Sequence, residues 1–230
     1  MSADPRPPAP GFAELYARSC FSFLTGASHP EELLEQAASL GYSALAITDE
    51  CSLAGVVRAY AAWRHTPDAP QLIIGSSIRL EDGPTLVLLA TDRAAYGQLS
   101  SLVTRGRRAA NKGNYRLTRL DLAQGLPGCL ALLVPPDLID PDPHTLATDA
   151  RWLAERFPDA CWLAAPLHLG PDDAARRRGI KAAAESAGIP VAATCAPLMH
   201  DASRRRLADV LTALRHRVTL DDAGYLLAAN

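Results

Sequence analysis

Short apolar runs alternate along the chain with longer stretches in which apolar residues recur every three or four positions. That is the pattern of strands and helices wound around a largely parallel sheet. Strands are predicted at residues 16–20, 43–48, 72–75, 85–90, 130–134, 161–165 and 190–194. The clearest helix opens at Ser28-His29-Pro30-Glu31, read as a capping box in which the Ser28 hydroxyl and the Glu31 carboxylate satisfy free amides. Leu33, Leu34, Ala37 and Leu40 then share one face, and Gly41 suits the exit. Ser52 is predicted to cap a second helix carrying Leu53, Val56, Val57 and Tyr60 inward. Further helices are expected over 94–105, 144–157, 172–187 and 202–215, each with an apolar stripe for packing on a sheet. About seven strands alternating with helices come close to the eight of a (β/α) barrel. The predicted organisation is a flexible Pro-rich segment over 1–11 and a single α/β domain over 12–230.

Composition narrows the classes of function. With 48% hydrophobic residues the chain can bury a full core. No apolar run approaches the roughly 20 residues that span a bilayer, and the first residues are Pro-rich rather than basic then apolar, so a cytoplasmic location without membrane contact is expected. The five cysteines (Cys20, Cys51, Cys129, Cys161, Cys195) are scattered without a Cys-x-x-Cys pair and read as reduced, mostly buried thiols. A net charge of -2 gives no global nucleic-acid footprint, so any DNA contact must be local. The candidate patch is Arg105, Arg107, Arg108 and Lys112, which lie together if the third helix continues through them; the run Arg204-Arg205-Arg206 reads as a solvated helix face. Phe21 and Phe23 flank Ser22 and are read as core rather than as a base-stacking pair. Asp49-Glu50 stands at a strand end, where a barrel enzyme keeps a catalytic acid. Adjacent residues leaving a strand point to different sides, which argues against a joint role for that pair. No nucleophile elbow, P-loop or dinucleotide fingerprint occurs.

Several segments together resemble the PHP (polymerase and histidinol phosphatase) domain found at the amino terminus of error-prone DnaE-type DNA polymerases, the ImuC branch. They are Phe21-Ser22-Phe23-Leu24, Gly26-Ala27-Ser28-His29-Pro30-Glu31-Glu32-Leu33, the stretch from Ala44 through Thr48-Asp49-Glu50-Cys51-Ser52 to Val57, and Lys112-Gly113-Asn114-Tyr115-Arg116-Leu117-Thr118. The resemblance implies a distorted, TIM-like (β/α)7 barrel. In active members its carboxyl-terminal face holds up to three metal ions on His, Asp and Glu and hydrolyses phosphoesters, in some polymerases as a proofreading exonuclease.

Carried over residue by residue, the resemblance implies a degenerate metal site. The opening His-x-His aligns with Tyr16-Ala17-Arg18, a further ligand with Thr25, the imidazole after Asp49 with Glu50, a Glu with Ser77, and the closing Asp-x-His with Ala196-Pro197-Leu198. Only Glu50 retains a metal-binding group, and no cofactor is expected for this chain; magnesium would belong to the parent polymerase. The implied function is a catalytically degenerate domain with a structural or partner-docking role in damage-tolerant DNA synthesis. Its partners would be the remainder of the polymerase and the translesion machinery, with DNA met only indirectly. The alternative is a residual phosphoesterase or 3'-5' exonuclease using zinc or manganese on Glu50 and His200. An Arg18–Glu50 ion pair is expected to balance the pocket's charge in place of metal, since an unpaired buried guanidinium is costly.

Overall fold

β-Branched and leucine-rich runs become strands here because both of their faces find apolar partners. The structure is a computed structural model and describes residues 11–136, 143–168 and 170–227; most of the expected Pro-rich segment over 1–11 lies outside them. The strands are β1 (Ala13–Ala17), β2 (Ala44–Ile47), β3 (Gln71–Arg79), β4 (Thr85–Ala90), β5 (Cys129–Val134), β6 (Cys161–Pro166) and β7 (Val191–Thr194). They form one sheet in chain order, β1-β2-β3-β4-β5-β6-β7. The helices are α1 (Pro30–Ser39), α2 (Val56–Trp63), α3 (Arg93–Arg108), α4 (Pro143–Arg156), α5 (Asp173–Ala187), α6 (Arg205–His216) and the short α7 (Leu220–Ala223).

Alternation along the strands divides the core. Leu86, Leu88, Ala131, Leu133, Leu163 and Ala165 face outward onto α3, α4 and α5. Their neighbours Val87, Leu89, Leu132 and Ala164 turn the other way and meet Tyr16, Ala46 and Ala196 inside the sheet's curve. Ala17, Leu45 and Ile47 pack under α1 and α2 with Leu33, Leu34 and Ala59. The result is a nearly closed, distorted TIM-like barrel with β4 antiparallel to both its neighbours and the other pairs parallel.

Closure between β1 and β7 uses a side chain in place of a ladder. Glu14, only 1% exposed, accepts hydrogen bonds from the Cys195 N–H (2.7 Å), the Tyr16 N–H (2.8 Å) and the Thr194 hydroxyl. Backbone bonds Arg18 N–H to Pro197 O (3.3 Å) and Ala27 N–H to Leu198 O (2.7 Å) continue the seam toward the carboxyl-terminal end.

Several local expectations are corrected. The first strand runs over Ala13–Ala17, three residues earlier than expected, because the chain turns at Ser19 to fold its loop onto Asp49. His29, not Ser28, caps α1, and Glu32, not Glu31, accepts the capping residue's N–H at 2.8 Å. The Ser28 hydroxyl instead accepts the His200 N–H (2.9 Å) and lies 2.7 Å from His200 Nδ1. Glu31 pairs with Arg58. α2 begins after Gly55 rather than Ser52, whose N–H is taken by the Ser76 hydroxyl, and Val57 and Tyr60 face solvent. Leu40 lies past the end of α1 and is exposed as well. The β3–β4 hairpin departs from strict βα alternation. The Asp82-Gly83-Pro84 turn was its sequence signal.

Candidate functional site

Parallel strands deliver their carboxyl-terminal residues to one end of a barrel, and the loops that follow wall that end. Tyr16, Arg18, Thr25, Glu50, Ser77, Ala196 and Leu198 all line a single cavity of about 490 Å³ there. These seven positions come from four separate stretches of chain, and the barrel gathers them all. Arg79 of β3, His168 after β6, Arg176 of α5 and Arg215 of α6 add to the polar part of its wall.

Tyr16 and Arg18, two residues apart, face the same side, and the Arg18 guanidinium carbon sits 4.7 Å from the Tyr16 ring centroid. The expected Arg18–Glu50 ion pair does not form: no carboxylate among the described residues lies within ion-pair distance of Arg18. Glu50 accepts from the Tyr115 hydroxyl (2.8 Å) instead. Burial, reinforced by Glu50, pushes that phenol far above its ordinary range. The buried Arg18 Nε has no hydrogen-bond partner among the described residues.

Asp49 and Glu50 diverge as adjacent residues should. Asp49, 1% exposed, anchors the β1–α1 loop. It accepts from the Ser19 N–H (2.7 Å), the Ser19 hydroxyl (2.7 Å) and the Ser22 hydroxyl (2.8 Å). Burial raises its carboxyl above the usual range, against the pull of those hydrogen bonds. Gly55 closes over it, where a Cβ would stand 2.6 Å from Asp49 Oδ2.

His200 is not among the residues lining the cavity, being held by Ser28 and standing 3.8 Å from Glu32. Glu50 and His200 therefore do not converge as the metal alternative requires. Within the cavity wall the donors suited to a metal are Glu50 and His168, the latter's Nε2 bonded to the Cys195 carbonyl at 2.8 Å. Among the described residues no three His, Cys, Asp or Glu side chains cluster as a metal site. The side chains present do not fit a divalent ion: guanidinium groups stand where ligands would be needed.

The other basic candidates are mostly committed to the protein itself. α3 does run through Arg108, but Arg107 turns inward to donate to the Cys51 carbonyl (3.0 Å) and the Glu50 carbonyl (3.1 Å), and Arg105 pairs with Asp121 at 3.5 Å. Arg105, Arg108 and Lys112 are exposed, whereas Arg107 is half-buried and taken up by those two carbonyls, so three of the four expected positions face solvent. Arg204 and Arg205 pair with Glu32 and Asp209. Phe23 overturns the core reading, being 83% exposed on the rim of a second cavity that shares Thr25, Glu50, Arg79 and Arg215 with the first.

The seven-stranded arrangement with its strand-end cavity has counterparts among known proteins. The family pattern described as "PHP domain" matches residues 14–157.

The chain belongs to the PHP domain family.

Proteins named error-prone DNA polymerase resemble this PHP domain along nearly all of its length. That of Aromatoleum aromaticum is 59% identical over 219 residues, 95% of this chain and 20% of the relative. Those of Dechloromonas aromatica (48% over 227 residues, 96% and 21%) and Pseudomonas aeruginosa (50% over 219 residues, 95% and 20%) are similar in extent. The PHP domain thus spans about a fifth of the length of the curated relatives it matches. Among solved structures, one described as a metal-dependent phosphoesterase from Bifidobacterium adolescentis superposes with a TM-score of 0.57 at 15% identity, covering 90% of this chain and 98% of the other. An amidohydrolase from Chromobacterium violaceum gives 0.56 at 14% identity over 81% and 87%. Both share the fold.

Proposed function

We propose that this PHP domain is a catalytically degenerate scaffold within an error-prone DNA polymerase, supporting damage-tolerant synthesis and DNA repair by docking the polymerase body or a translesion partner. The observation that carries this reading is the strand-end cavity. Its barrel framework is intact, yet among the described residues its wall carries Arg18, Arg79, Arg176 and Arg215 against one carboxylate, Glu50. A hydrolytic centre needs about three ligands around an ion and a water it acidifies, and a cationic wall opposes both. On this reading the domain itself uses no metal, the magnesium chemistry belongs to the polymerase body, and the assembly works in the cytoplasm. The zinc or manganese alternative is disfavoured because Glu50 and His200 occupy different surroundings.

Support for docking comes from α6. Leu207, Val210 and Leu214 recur at helical spacing and are all exposed, 58% in the case of Leu214. Covering such a leucine contributes roughly 1.5–3 kcal/mol when burial is complete, so this stripe can hold a neighbouring surface. The test is Leu207→Asp with Leu214→Asp in the full-length polymerase, read by melting temperature, primer extension and recruitment to damaged DNA, with hydrolysis of a chromogenic phosphodiester in manganese as a parallel readout. The expected result is lowered stability or recruitment and no phosphodiester turnover in either protein. Unchanged stability, extension and recruitment would refute docking through α6. Turnover abolished by Glu50→Ala would overturn the degenerate reading.

A further inference from the structure

The same cavity that lacks a metal's ligands has the parts of a different receptor. We propose that it binds a phosphate-type oxyanion without metal, on the guanidinium groups of Arg18, Arg79 and Arg215. This goes beyond the scaffold role and does not depend on docking through α6.

Like charges are expensive to gather, so a cluster of cations calls for a counter-charge. Burial and then the neighbouring Arg18 lower the Arg215 guanidinium from its ordinary range; Glu50 opposes them, and Arg79 adds a smaller push downward. Among the described residues neither Arg18, Arg79 nor Arg215 has a carboxylate within ion-pair distance. Arg215 donates to the Thr25 hydroxyl at 3.0 Å, and Arg18 has the Tyr16 ring face. Arg176, on the same wall, has an interaction of its own and is left out of the count. Glu50 cannot balance three cations, and its Oε1 is already taken by Tyr115.

The second observation is the orphaned donor. Buried polar atoms are nearly always hydrogen-bonded, and a buried cationic N–H without an acceptor is among the costlier exceptions. Arg18 Nε is such an atom, in a residue that lines the cavity. An oxyanion entering the cavity would supply the negative charge that the three guanidinium groups lack. Arginine's planar fork suits the tetrahedral oxygens of a phosphate, and the cavity of about 490 Å³ has room for a diphosphate or a phosphate-ended chain. The shared chemistry can reach the cavity as free inorganic pyrophosphate or as the terminal phosphate of a nucleic-acid strand. For the second source, the adjoining cavity offers a path beside the exposed Phe23 ring and Arg116.

Isothermal titration of the 230-residue chain in EDTA tests this, with inorganic pyrophosphate in one arm and a 5′-phosphorylated thymidine tetranucleotide in the other. Saturable binding is expected in at least one arm, weakened by about tenfold or more in Arg18→Gln and in Arg215→Gln, since each removes charge-assisted bonds to the anion. Glu50→Gln keeps an acceptor for Tyr115 while deleting the competing charge, and it should tighten binding several-fold, a gain that misfolding cannot produce. Binding of pyrophosphate would identify the free anion as sufficient; binding of the tetranucleotide alone would assign the strand terminus. No binding in either arm, binding only after manganese is added, or equal affinities across Arg18→Gln, Glu50→Gln and the unaltered chain would overturn the proposal.

Discussion

Glu14→Ala should open the barrel at its one seam without a strand ladder. The carboxylate is 1% exposed and holds the Tyr16 N–H, the Thr194 hydroxyl and the Cys195 N–H, so its removal orphans donors on both β1 and the end of β7. The hydroxyl can turn to another acceptor, but the two backbone N–H groups cannot. At roughly 1–3 kcal/mol for each stranded donor, the expected loss is about 2–6 kcal/mol, a large part of the 5–15 kcal/mol typical of whole domains. The cavity left by the side chain adds to that figure, and water entering the seam reduces it. Urea unfolding supplies the free energy, and native-state hydrogen exchange locates it. The Cys195 and Tyr16 amides should exchange faster by far more than amides of the β3–β4 hairpin, whose ladder does not touch the seam. A loss below about 1 kcal/mol with unaltered protection at Cys195 would refute the idea that Glu14 substitutes for the missing ladder.

The pH response of Asp49 has a definite sign. Burial raises its folded-state pKa, so the carboxyl contributes stability that is fully present below its unfolded value, about 3.9, and lost as pH rises through the higher folded value. The stability difference between the unaltered chain and Asp49→Asn should therefore shrink as pH rises from 3.5 toward 7, measured by paired urea midpoints; a difference that grows with pH would refute it. Burial also lifts the Cys51 and Cys129 thiols to about 11, and both side chains are buried, so a thiol reagent at pH 8 should label Cys195 first and reach Cys51 and Cys129 only on unfolding. Mass spectrometry of partially labelled chain decides the order, and early labelling of Cys51 would contradict the packing around it.

Much of the architecture was legible along the chain because burial imposes a period. Thr85–Ala90 matched its predicted range, and the runs at β5, β6 and β7 were placed to within a residue, since apolar strands bounded by turn residues have few other places to go. The seven positions that the family resemblance aligns with metal ligands, Tyr16, Arg18, Thr25, Glu50, Ser77, Ala196 and Leu198, share one cavity. Local sequence could not say which partner each polar side chain would choose. Glu50 stands at the strand end as expected, yet Tyr115, 65 residues later, takes its carboxylate, and Arg107 bonds its carbonyl. Ser28 was a good cap by composition and serves His200, 172 residues away. Phe23 had the company of a core residue and is exposed, because the loop holding it is pulled down by Ser19 and Ser22 onto Asp49. Hydrophobic periodicity is a local signal, repeated at every turn or pleat, and it survives in one dimension. Hydrogen bonds and charge pairs are settled between a few atoms at distances of about 3 Å, and only the closed chain determines which of them meet.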